Sequence, residues 1–338
     1  MSDRFEGEVT TCYPNPVGFA KTGALSQRVV RLDLEGDVAI WTEQHELDVG
    51  LVEYMRQSIL GIDQLFFKDE SLRFGSDISS FKALGAPYAV YKILADQVFS
   101  TTGVRPSSSE LRTTKFRDIT ERVTVCVATD GNQGRGLAYG AQVFDCRCVD
   151  YIYGHVSDGR ADRMKELGAI VIRIDGEYEA SVSRAKEDAR MNGWYFVSST
   201  SWSDFDKDVP QHVMNAYMVV LEEAIDMIPD VEKITHVFVC GGVGSIAAAI
   251  FQGFYKHLAR TIKSVESDVT TKLPRFVVVE PTEADCLLQS AKHGEARLSE
   301  GSLRTLMAGL ACRGPSPVAL KVLRGLLAIT LQFLTPWP

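Results

Sequence analysis

The sequence predicts an α/β protein of two domains built on mostly parallel sheets with helices on both faces. Three observations carry the prediction. Short β-branched runs alternate with helical segments along most of the chain. Two of those runs, Val123–Ala128 and His236–Cys240, feed straight into glycine-rich turns that open helices. The length of 338 residues, with 45% apolar and 24% charged residues, suits a soluble chain of about two domains with a sizeable core.

The elements follow in order. Val29–Leu34 and Val38–Trp41 read as short strands around Glu35-Gly36-Asp37. Leu47, Leu51, Tyr54, Ile59 and Leu60 have helical spacing within Glu43–Leu60. Leu65–Phe67 is a short strand, a loop covers Ser71–Ser80, and a helix is predicted over about Ala86–Phe99. Arg105–Thr120 reads as a polar loop. After the Val123–Ala128 strand come a helix over Leu137–Phe144, a strand over Cys148–Tyr153 and a helix over Gly159–Leu167 that ends at Gly168. Ala169–Ile174 is a strand, Ser181–Asn192 a helix and Trp194–Val197 a strand. One long amphipathic helix is predicted over Val213–Ile228, then the strand His236–Cys240, the helix Ile246–Leu258 and the strand Arg275–Val279. Strands separated by helices pair in parallel.

Composition excludes several function classes. The net charge of −8, with acids and bases interspersed, argues against nucleic acid or an anionic membrane as the main partner. There is no apolar run of ~18 residues to span a bilayer, and the charged start Met1–Glu8 lacks a secretory apolar segment. The seven scattered cysteines read as small buried hydrophobes of a reducing compartment, which points to the cytosol. Cys146-Arg147-Cys148 is too tightly spaced for a structural zinc pair, and no metal site is expected.

The segment His236–Ala249 carries the strongest local chemistry. Glycines remove the Cβ atoms that block close approach, and the helix that follows offers free N–H groups and a positive dipole end to an anion. Ser245 adds a hydroxyl donor. The same residues also match a dinucleotide fingerprint, Gly242-x-Gly244-x-x-Ala247, with Glu280 ending the next strand. That acid lies well beyond the ~20-residue offset a ribose-binding carboxylate needs. A nicotinamide site therefore ranks second, and a ligand-free βα turn remains a further alternative. Earlier in the chain, Lys82 stands between Phe81 and Ala83-Leu84-Gly85, just ahead of an apolar helix. A lysine at a helix start is most often a solvated surface residue. One partly shielded from water loses preference for its ammonium form, and its neutral amine can attack a carbonyl.

Taken in order, Phe81-Lys82, the run from Thr129 through Asp130, Gly131, Asn132, Gln133, Gly134 and Arg135 to Gly136, and Gly242-Val243-Gly244-Ser245 resemble the fold type II pyridoxal-phosphate enzymes, the tryptophan synthase β-like group. Within that group, Lys68-Asp69-Glu70-Ser71 with Arg73-Phe74-Gly75, Thr200-Ser201-Trp202, Glu280-Pro281 with Ala284-Asp285-Cys286, and Met307–Cys312 resemble the diaminopropionate ammonia-lyase family. The similarity covers roughly residues 64 to 324. The resemblance implies pyridoxal 5′-phosphate held between two α/β domains of a homodimer. The larger domain would comprise 1–85 plus 206–324, the smaller 86–205, with 325–338 an atypical tail. It implies that Lys82 joins its ε-nitrogen to the cofactor aldehyde, that Asn132 bonds the cofactor's 3-oxygen, and that Gly242, Val243, Gly244 and Ser245 hold the phosphate. Asp130 would be a second base opposite Lys82, and Ser199, Thr200 and Trp202 would lie at the substrate. The implied reaction is α,β-elimination from an amino acid, 2,3-diaminopropionate giving pyruvate and ammonia.

The chain departs from the family pattern in places. Ser199 stands where the family carries an acid, and Gln133 where a histidine is common. Loss of that acid removes a partner for a cationic substrate amine. It therefore disfavours diaminopropionate, the D isomer above all, relative to a neutral β-group such as a hydroxyl. The apolar tail from Gly325 does not resemble the family, whose further strands supply the group facing the pyridine nitrogen. Missing strands would leave an open sheet edge for the tail or a partner chain to cover. A serine/threonine-type dehydratase, an impaired non-enzymatic paralog and an NAD(P)-binding oxidoreductase remain alternatives.

Overall fold

The computed structural model describes residues 28–32, 65–71, 73–75, 78–129, 131–200, 208–262, 273–326 and 329–333. The expected strand at Val38–Trp41 and the helix at Glu43–Leu60 lie outside them. The strands are β1 Arg28–Leu32, β2 Leu65–Asp69, β3 Thr124–Ala128, β4 Arg147–Tyr153, β5 Ile170–Ile174, β6 Tyr195–Phe196, β7 His236–Cys240, β8 Arg275–Pro281 and β9 Ile329–Phe333. The main helices are α1 Lys82–Thr102, α2 Asn132–Val143, α3 Asp158–Glu166, α4 Tyr178–Asn192, α5 Asp208–Ala216, α6 Met218–Met227, α7 Ser245–Ile262, α8 Cys286–His293 and α9 Pro317–Leu326.

Two parallel sheets organise the molecule. One runs in the order β5-β4-β3-β6 and the other β7-β8-β9, while β1 and β2 form a separate antiparallel pair. Crossing helices between successive strands impose the parallel pairing. β3 is buried along its whole length, as its Thr-Val-Cys-Val-Ala sequence requires. One face of its sheet is covered by α4, through Cys126, Val149, Tyr151, Val182, Ala185 and Phe196. The other face joins a large core that continues through α1, α2, α5 and α7 to β8.

α1 is apolar almost all round and buries Leu84, Tyr88, Val90, Ile93, Leu94 and Val98, each worth ~1.5–3 kcal/mol when fully covered. It starts at Lys82, four residues before the sequence placed it. The Gly85-Ala86-Pro87 stretch looks like a breaker, yet proline in the second turn removes a single backbone bond. Pro87 also makes a contact that needs a glycine opposite: a Cβ on Gly140 of α2 would stand 2.7 Å from Pro87 Cα. α2 in turn begins at Asn132, inside the glycine run rather than after it.

Three further differences have local causes. Arg105–Thr120 contains short helical turns, the first capped reciprocally by Ser107 and Glu110. The single helix expected over Val213–Ile228 is two, because Tyr217 N–H and Val220 N–H both bond three residues back and tighten the backbone. Finally, β9 places part of the atypical tail in the second sheet, parallel to β8 with Ile329 opposite Val277 and Phe333 opposite Pro281. β7 is the other edge of that sheet. Its His236, Phe238 and Cys240 face outward, so helices cover only one side of this strand among the described residues. No helix among the described residues is long and apolar enough to cross a membrane.

Candidate functional site

The glycine turn after β7 has the geometry of an anion cradle. Gly242 and Gly244 take φ of +61° and +92°, which side chains with a Cβ rarely adopt. Gly244 N–H closes the turn on Gly241 O at 3.1 Å, and α7 starts immediately. Its first intrahelical bond runs from Ala248 N–H to Gly244 O, so the amides ahead of it are those a helix leaves for an outside acceptor. The turn is held from several sides. A Cβ on Gly241 would meet Glu280 Cγ at 2.7 Å, and one on Gly244 would meet Leu323 Cδ1 of α9 at 3.0 Å. Cys312 Sγ and Gly309 O of the Met307–Cys312 segment stand 3.6 and 3.8 Å from the Cβ position of Gly242.

Ser245 is buried, and its hydroxyl donates to Ser199 O at 2.8 Å. One bond thus joins an expected phosphate residue to an expected substrate residue. Thr200 follows directly, its N–H donating to Ser198 Oγ. Trp202 and Asp130 lie outside the described residues.

Lys82 is half-buried at the first position of α1, with Nζ 5.5 Å from the centroid of the Phe81 ring. α2 lies against it: a Cβ on Gly136 would be 3.1 Å from Lys82 O. The Asn132 helix and the lysine therefore come together. α5 packs against both α1 and α7. Phe81 and Tyr217 stack edge to face at 5.1 Å across that junction. Asn132 opens α2 behind a loop shaped by Thr129, whose Oγ1 accepts the N–H groups of Gly131 and Gly134 at 3.0 Å each.

These groups suit pyridoxal phosphate chemically. A glycine turn that a Cβ would fill offers amides to a phosphate, a half-buried lysine amine offers a nucleophile to an aldehyde, and an asparagine amide offers a donor to a ring oxygen. The residues do not suit the dinucleotide alternative. Glu280 is fully buried and accepts Leu287 N–H and Leu288 N–H at 3.0 and 2.8 Å, so its carboxylate caps α8 and is not free for a ribose. Burial pushes its pKa up to about 7 against the pull of those two amides. No group of histidine, cysteine and acidic side chains that could hold a metal exists among the described residues.

Some features escaped the sequence reading. Asp150 is fully buried on β4, and its Oδ2 would lie 2.9 Å from a Cβ on Gly134. A carboxylate inside the apolar strand Cys148–Tyr153 is the signal that could have found it. Both amide atoms of buried Gln133 lack a hydrogen-bond partner among the described residues. Lys68, Glu70 and Arg73, read as family markers, prove to be an ion network closed by Glu223 of α6.

The comparisons with known proteins bear on the family and the fold. The family model described as "Pyridoxal-phosphate dependent enzyme" matches residues 43–332. A diaminopropionate ammonia-lyase of Salmonella typhimurium strain LT2 is 32% identical over 272 residues, covering 78% of this chain and 63% of the relative. The chain thus spans about three fifths of the length of the curated relatives it matches. The crystal structure of holo diaminopropionate ammonia lyase from Escherichia coli aligns with TM-score 0.66 at 26% identity, over 91% of this chain and 78% of that one. The structure of the E. coli protein in complex with D-serine aligns with the same TM-score and identity, over 89% and 76%.

Proposed function

The chain belongs to the pyridoxal-phosphate dependent enzyme family, and from that premise we propose that it catalyses α,β-elimination from a small amino acid, 2,3-diaminopropionate first among candidates. The products would be pyruvate and two ammonia molecules, with one water consumed. The observation that supports the reading is the glycine turn Gly241–Gly244 at the start of α7, together with Lys82 at the first position of α1, a helix that shares the neighbour α5 with α7.

Each residue has a role in this reading. The amides of Gly242, Val243, Gly244 and Ser245 bind the phosphate, and Asn132 bonds the 3-oxygen. Bound pyridoxal phosphate supplies an electron-withdrawing ring that makes the substrate's α-proton acidic. Lys82 would hold the cofactor through its ε-nitrogen, and its amine would serve as the base for that proton. Asp130 is the second base, on the opposite face. Ser199, Thr200 and Trp202 border the substrate. The domain division at 86–205, a homodimer and a cytosolic setting belong to the same proposal; light scattering of the purified chain reads the dimer.

Borohydride reduction followed by peptide mapping tests the reading. The purified chain should absorb in the visible, lose that band on reduction and carry the cofactor mass on Lys82. A colourless chain that takes up no pyridoxal phosphate would leave the non-enzymatic alternative in its place. Ser199 favours a second reading, a serine-type dehydratase, because no carboxylate stands there to meet a substrate ammonium. Turnover of D- and L-diaminopropionate beside D- and L-serine separates the two.

A further inference from the structure

Arg135 lies one turn after Asn132 in α2 and donates from Nη2 to Asn132 Oδ1. A guanidinium carries only donors, so the amide atom that faces it must be the oxygen. This settles an orientation that an amide's near-symmetric shape would otherwise leave open. The N–H2 end of Asn132 is then the end left for an outside acceptor. The surroundings reinforce the arrangement. Thr129 Oγ1 pins the amides of Gly131 and Gly134 on either side of Asn132. The Arg160 side chain lies along Gly131, its Cδ 3.4 Å from where a Cβ would stand. Burial, together with the nearby positive charges of Arg163 and Arg160, pulls the pKa of Arg135 down. Three guanidinium groups from two helices therefore gather around the Asn132 end of α2, an arrangement that favours negative charge close by.

We propose that Arg135 is a positioning residue for the cofactor: it turns the Asn132 N–H2 toward the 3-oxygen of pyridoxal phosphate and adds positive charge that favours the ionised form of that oxygen. The proposal rests on the cofactor reading given above for Lys82 and Asn132. It differs from a packing role, because it predicts that the effect of Arg135 on affinity passes through one amide and that its charge is read in the pH midpoint.

The test compares Arg135→Met, Arg135→Lys, Asn132→Ala and the double variant Asn132→Ala/Arg135→Met in the full chain. Two quantities are read: the dissociation constant of pyridoxal phosphate for stripped protein, and the pH midpoint of the bound cofactor's visible band. Arg135→Met should weaken binding by about tenfold and raise the midpoint by about one pH unit. Arg135→Lys, which keeps the charge, should restore much of the midpoint and part of the affinity. In the Asn132→Ala background Arg135→Met should change affinity little further. Wild-type values for Arg135→Met, or full additivity with Asn132→Ala, would overturn the proposal. Should Arg135→Met fail to fold, as circular dichroism would reveal, Arg135→Lys decides alone: a wild-type midpoint with weakened affinity supports the role, and no change in either overturns it. Borohydride mapping of the wild type keeps the two levels apart. Label on Lys82 with an indifferent Arg135 removes only the positioning role, whereas no label on Lys82 removes the cofactor reading and the positioning role with it.

Discussion

The Asp150 carboxyl sits where a charge is hard to keep. It is fully buried, its Oδ2 has no hydrogen-bond partner among the described residues, and burial pushes its pKa up to about 8, with only a bond from Cys148 Sγ at 3.5 Å pulling the other way. The folded value lies above the ordinary 3.8, so folding takes up a proton. Its stabilising share is whole below about pH 4 and is lost as pH rises through about 8. Asp150→Asn should therefore melt close to wild type near pH 3.5 and pull progressively ahead of it toward pH 9, by on the order of a few kcal/mol. A gap that stays flat across that range, followed by circular dichroism, would contradict this. At the cradle, Gly244→Ala must hold φ of +92° with a Cβ 3.0 Å from Leu323 Cδ1. A stability loss of about 1–3 kcal/mol in urea is expected, together with weaker uptake of pyridoxal phosphate. The glycine turn was readable because a strand running into glycines and then a helix is a local pattern, whereas Lys82 stood out only through the resemblance to a family. The role of Asp150 was not readable, because burial belongs to the fold.

Among the elements, β2 and α6 are tied by charge. Arg73 is buried, and its guanidinium donates to both Glu70 and Glu223 at 2.6–3.0 Å, with Lys68 adding contacts to the same acids. Burial opposes the charged form of Arg73, and those hydrogen bonds and charges outweigh it, so its pKa rises. Removing one member of such a set leaves uncompensated charge. Arg73→Met should cost about 3 kcal/mol, and the double variant Arg73→Met/Glu223→Gln less than the two single changes added together. Chemical denaturation of the four proteins gives that cycle. The sequence showed the Lys68–Gly75 run as a family marker, but its partner Glu223 lies 150 positions beyond Arg73, out of reach of any local pattern. By contrast, Ser107 and Glu110 display a capping box in plain order, and reading Arg105–Thr120 as a loop overlooked it. The strand starts and ends, β7 above all, were legible because β-branched runs bounded by glycine leave little choice.

For the whole molecule, the parallel architecture followed from alternation alone, while the fate of the tail did not. β9 pairs with β8 over residues 277–281, a long-range choice that the alternating sequence Ile329–Phe333 permits but does not specify. Ending the chain at Leu326 should bare that edge, and size-exclusion profiles should shift toward aggregates. The last consequence concerns the bond between Ser245 and the carbonyl of residue 199, which spans from the start of α7 to the segment that follows β6. A hydroxyl owns a single proton. If, as proposed, a phosphate on the turn drew that proton to itself, it would take it from the carbonyl of residue 199, so seating the guest would also untether the segment assigned to the amino acid.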